Sequence, residues 1–117
     1  MEIEMTVENG NVQISSEVIA SIVGIAINEM ENFTLAHENF MAKVFQRNEK
    51  VIKVEVEENG ELSITANVSA KYGIKIKDEA RKLQESIVEN VEIMTALNIK
   101  DVNIHVVSIL KDTMEVN

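Results

Sequence analysis

Cysteine and proline are both missing from the chain, glycine occurs four times, and aromatic residues make up 3% of it. Without cysteine there is no disulfide, no thiol nucleophile and no thiolate metal site, and the redox state of the compartment leaves no trace. A stacking platform for single-stranded bases would have to be assembled from Phe33, Phe40, Phe45 and Tyr72, which is thin material. Basic residues are the minority, eleven against twenty acidic, so the net charge is −9. That charge opposes the counterion release that drives binding to phosphate backbones, and nucleic acid is disfavoured as a partner. No apolar run approaches the roughly 20 residues that a bilayer span needs. Glu2 and Glu4 stand where a signal peptide carries basic side chains, so the chain is expected to stay in the cytoplasm without inserting into a membrane.

What is present fits a single folded domain over residues 1–117. Apolar residues supply 45% and charged residues 26% of 117 positions, enough to bury about two-thirds of the unfolded surface around one core. The core is expected from about residue 10 to residue 110, with frayed termini.

The pattern along the chain alternates between periods. Val12 and Ile14 alternate with polar neighbours after Asn9-Gly10 and read as a short strand. Ser16 is a candidate N-cap, and an apolar face over residues 17–31 predicts a mostly buried helix. Phe33 and Leu35 suggest a second strand. The stretch from His37 to Lys50 is irregular, and Phe40, Met41, Val44 and Phe45 there read as structural cover for the core edge. Ile52, Val54 and Val56 then alternate with charge, Asn59-Gly60 suits a type I′ hairpin, and Leu62 to Tyr72 form a longer return strand with one apolar and one wet face. A second helix from Ile76 to Leu97 follows, ended by Asn98, before Val102, Ile104 and Val106 resume the strand period. The expected fold is α+β, a single mainly antiparallel sheet with two helices packed on one face in the order β-α-β-β-β-α-β.

No catalytic, cofactor or metal constellation emerges. His37 and His105 lack a metal-binding spacing, and His105 lies about 13 Å from Asp101 along a strand. Glu57, Glu58 and Glu61 flank a turn, where acids are usually solvated. The glycines are too scattered to cradle phosphate, and Ser15, Ser16 and Ser21 have no nucleophile elbow. What remains is a surface. Ser63, Thr65, Asn67 and Ser69, with Gln13, Asn103 and His105 alongside, form a polar row that serves either as plain solvated sheet or as a recognition face. Val107 and Ile109 fall out of phase with Val102, Ile104 and Val106, which predicts apolar surface at the sheet edge and a dimer through it, unless a bulge near Val106 restores the phase.

Certain residues carry a resemblance. Val12-Gln13-Ile14-Ser15 with Glu17-Val18-Ile19, Tyr72-Gly73, Gln84, and Val91-Glu92-Ile93-Met94-Thr95-Ala96-Leu97 leading to Val102-Asn103-Ile104-His105-Val106 together resemble the alkaline shock protein family, envelope-stress proteins typical of Gram-positive bacteria. The chain departs where Ala96 replaces the family's usual glycine, and where Asn32-Phe33 replaces a Gly-Val pair. The resemblance implies a non-enzymatic cytoplasmic protein that acts by association: with itself, with a membrane-anchored envelope partner, or with acetyl-CoA carboxylase as a regulator. An RNA-binding module is a further alternative, which charge and aromatic content oppose.

Overall fold

The Ser15 Oγ accepts the Val18 backbone N–H at 3.2 Å, which ties off the first turn of helix α1 (Ser16–Asn28). In this computed structural model, residues 12–36 and 50–111 are described. The elements that follow are β1 (Phe33–Leu35), β2 (Ile52–Val56), β3 (Leu62–Lys71), α2 (Ile76–Thr95) and β4 (Ile99–Leu110). The fold is α+β, in the expected order from the first helix onward. The helix cap falls on Ser15, one residue before the expected Ser16. Residues 12–15, expected as an opening strand, make no strand pairing: Val12 is 91% exposed, while Ile14 packs against the core. Alternation is not sufficient for a strand when the last residue of the run is claimed by a helix cap. The expectations for His37, Phe40, Met41, Val44, Phe45 and the residues after Lys111 lie outside the described residues.

β3 is the spine of the sheet. On one side it pairs with β4 over its whole length, and this pairing is parallel. On the other side it pairs antiparallel with β2 through Leu62–Ala66 and with β1 through Val68–Ala70, so two of the three pairings are antiparallel. β1 and β2 therefore lie end to end along the same side of β3. Asn67 sits at the joint between them. Its carbonyl accepts the Ala36 N–H at 3.0 Å, its own N–H donates to the Val51 carbonyl at 2.9 Å, and its side-chain amide reaches the Lys50 and Val51 carbonyls at 3.4 Å.

One face of β3 presents Leu62, Ile64, Ala66, Val68 and Ala70, all buried. Both helices cover this face, through Ile19, Ile22, Val23, Ala26 and Ile27 of α1 and Leu83, Ile87 and Val91 of α2. Small residues on β3 stand beside large ones on its neighbours: Ala70 is opposite Phe33, and Ala66 lies between Ile52 and Ile104. That alternation lets helices close on a flat floor at native packing density. Met94, which the helical period places on the apolar stripe with Leu83, Ile87 and Val91, is exposed.

The hairpin between β2 and β3 is not type I′, since Asn59 keeps a negative φ and only Gly60, at φ 89°, is left-handed. The Gly60 N–H donates to the Glu57 carbonyl at 2.9 Å, and the Asn59 side chain accepts the Glu61 N–H at 3.0 Å. A three-residue loop with glycine in the left-handed position is the alternative when Asn stabilises the turn through its side chain. α2 likewise ends before Asn98, at Ala96, which takes φ 61° and ψ 17°.

Candidate interaction surface

The face of the sheet away from the helices is built by the period-2 geometry of β3 and its neighbours. Across it run rows of paired residues: Glu55, Ser63 and Asp101; Lys53, Thr65 and Asn103; Asn67 beside His105; and Thr34, Ser69 and Ser108. The structure thus brings together six of the residues expected on this face. Four of them, Ser63, Thr65, Asn103 and His105, keep access to water. The Ser63 hydroxyl donates to Asp101 Oδ1 at 2.5 Å, the Asn103 amide lies 3.5 Å from the same oxygen, and Lys53 and Glu55 pair at 3.6 Å.

Asn67 and Ser69 differ from the expectation of a wet row. They are only 6% and 7% exposed. Asn67 is used up in bracing the β1–β2 joint, and the Ser69 hydroxyl shares a 2.6 Å hydrogen bond with Ser108. A central strand with neighbours on both sides shields short side chains on either face, which the sequence of that strand alone does not reveal. Thr34, Asp101 and Ser108 belong to the face and were not anticipated; the signal would have been their pairing with β3, which requires the register.

The premise for apolar exposure at Val107 and Ile109 is overturned in its geometry. The ladder shifts register between Val68 and Ser69, so that Val106 faces Val68 and Ser108 faces Ser69, leaving Val107 as the extra residue of a bulge. The bulge restores the phase: Ile109 is opposite Ala70, on the helix side. Ile109 is nonetheless 45% exposed. Beside it, Lys71, Tyr72, Gly73 and Ile76 line a shallow groove, with the Lys111 ammonium 5.5 Å from the Tyr72 ring centre. A second extra residue, Lys100, comes from the shift between Leu62 and Ser63, and its ammonium pairs with Glu57 at 3.6 Å.

Chemically the face offers hydroxyls, amides, one imidazole and an ion pair. Among the described residues no three His, Asp or Glu side chains converge as metal ligands, and no helix is long and apolar enough to cross a membrane. The Glu79 carboxyl of α2 is held below the usual carboxylate range first by the Asn32 amide, which donates to its Oε1 at 2.8 Å, and then by Lys82. That contact ties the α1–β1 turn to α2, away from the sheet face.

A family model described as the alkaline shock protein 23 family, with cell envelope-related function, matches residues 4–111 of the chain. The chain is also similar to the uncharacterized protein YqhY of Bacillus subtilis strain 168, at 35% identity over 109 residues covering 89% of this chain and 80% of the relative. Two uncharacterized proteins of Streptococcus pyogenes serotype M6 are similar as well. Spy1535 is 31% identical over 88% of this chain and 81% of its own length, and Spy1614 is 27% identical over 93% and 95%. No solved structure matches.

Proposed function

The chain belongs to the alkaline shock protein 23 family, whose function is cell envelope-related, and from that premise we propose that it is a non-enzymatic cytoplasmic binding protein of envelope stress or homeostasis. It works by associating with itself and with a membrane-associated partner.

The observation that carries this reading is the continuity between the open side of the sheet and the free edge of β4. Among the described residues β4 pairs only with β3, so past Val102, whose carbonyl is taken by Gln84, the strand offers its outer backbone groups beside the exposed Asn103 and His105. Exposed edges recruit further strands unless they are blunted. Toward its C-terminal end, beyond the bulge at Val107, this edge adjoins the half-exposed Ile109 and Leu110. An edge-to-edge pairing of two copies there is isologous and closes as a dimer, and the hydroxyl and amide face remains for a partner.

Mild crosslinking in cells followed by affinity purification and mass spectrometry tests the reading. Recovery of a membrane protein with envelope factors supports it, whereas enrichment of acetyl-CoA carboxylase subunits makes the protein a metabolic regulator instead. Sedimentation of the pure protein reads the self-association: a monomer at high concentration contradicts the edge dimer.

A further inference from the structure

The second half of α2 carries a charge pattern that the described residues do not neutralise. Lys71, Lys75, Lys77, Arg81 and Lys82 crowd the start of this region, yet from Leu83 to Ile99 the chain has no basic residue and three acids, Glu85, Glu89 and Glu92. Neither Glu85 nor Glu89 has an ion-pair partner among the described residues. Between these carboxylates and the edge of β4 runs an open groove of about 590 Å³, in which Val88 and Ile93 are the apolar surface and the buried Val102 lies beneath. Ile93 is 75% exposed, the largest exposure of any aliphatic side chain on α2.

The backbone beside this groove is already occupied. Gln84 Nε2 donates to the Val102 carbonyl at 2.9 Å, and the Ile99 N–H donates to Glu92 Oε2 at 3.1 Å. A strand cannot add to β4 at this point without displacing both. The groove is therefore suited to an occupant that brings side chains and keeps its own backbone satisfied, which is a helix. Its charge is fixed by the rim: Glu85, Glu89 and Glu92 fall along one side of α2 over roughly 10 Å, matching cations spaced about one turn apart on a facing helix.

We propose that this groove docks a basic amphipathic helix of a partner protein, its apolar side chains on Val88 and Ile93 and its lysines or arginines on the three glutamates. The proposal rests on the chain being a binding protein but uses a surface separate from the distal β4 edge and the polar sheet face. An anionic membrane surface is repelled by the same glutamates.

The probe is a synthetic amphipathic Lys/Leu peptide of about five helical turns, with a scrambled peptide of the same composition as its control. Added to the isotope-labelled full chain, the amphipathic peptide shifts amides of residues 84–93 and of the β4 strand near Val102. Its affinity falls about tenfold in E85K/E89K and drops as salt rises. Ile93→Ser weakens binding without the change in salt dependence. Equal binding of the scrambled peptide, shifts centred elsewhere, no shifts at all, or unchanged affinity in E85K/E89K overturns the proposal. Glu85, Glu89 and Ile93 are all exposed, so these variants keep the fold. Sedimentation of E85K/E89K reads self-association separately, so loss of the groove and loss of the edge dimer are distinguishable.

Discussion

Ala96 holds a backbone conformation that L residues with a Cβ enter at a cost of roughly 1–2 kcal/mol, and it does so alone: no other non-glycine among the described residues has positive φ. The turn is kept by its neighbours. The Ala96 N–H donates to the Glu92 carbonyl at 2.9 Å, and the Thr95 hydroxyl accepts the Leu97 N–H at 3.1 Å while donating to Val91. Ala96→Gly is expected to stabilise the protein by about 1 kcal/mol, seen as a higher urea midpoint with unchanged slope. A lower midpoint would mean that the extra freedom of glycine in the unfolded chain outweighs the relieved strain. Asn32 is the second residue with an individual role. Because its amide favours the charged form of Glu79, Asn32→Ala should raise the Glu79 pKa toward the ordinary glutamate range, as followed by carboxyl chemical shifts against pH. The lowered pKa gives stability that is complete above the ordinary range and is lost as pH falls through the folded-state value. The variant should accordingly lose its stability deficit relative to the parent in acid.

At the scale of elements, the last turn of α2 runs against the helix dipole. The first turn has Asp78 and Glu79, which suit the positive end, but the last turn has no basic residue while Glu92 stands there. Burial of Leu83, Ile87 and Val91 must hold the helix despite this. Met94, exposed in that last turn, is a free position: Met94→Lys should raise stability by about 0.3–1 kcal/mol at low salt, an increment that shrinks as salt is added. The extent of α2 was legible in the sequence because one apolar stripe runs unbroken through Leu83, Ile87 and Val91. So was the face of β3, and with it Ser63 and Thr65 of the candidate surface. The bulge at Lys100 was not legible, since a bulge has no local signature there and is defined only by the partner strand, while the one at Val107 stood open as the alternative to an exposed edge, signalled by the broken alternation after Val106. For the same reason Ile109 was placed on the wrong face, and the burial of Asn67 and Ser69 was invisible before β3 was known to be central. The hairpin turn was misassigned because Asn-Gly serves two loop lengths, and the choice depended on how the Asn59 side chain was used.

At the scale of the whole molecule, the four strands among the described residues occupy three positions: β4, β3, and a shared outer position taken by β2 and β1 in succession. Phe33 faces Ala70 and Ile52 faces Ala66, so between these two pairs β3 advances four residues while the outer chain advances nineteen. The surplus is fifteen, the length of residues 37–51. Ala36 joined directly to Ile52 would continue one uninterrupted edge in register, with Phe33, Leu35 and Ile52 still on the helix side and Asn67 opposite Ala36. The chain thus contains a splice point: a shortened protein lacking 37–51 should fold with the amide spectrum of β3, β4 and both helices preserved, and a collapsed spectrum would show that the excursion is needed for folding. If the shortened form folds, the same seam can accept a foreign segment, and any binding lost with the deletion belongs to the excised residues rather than to the sheet.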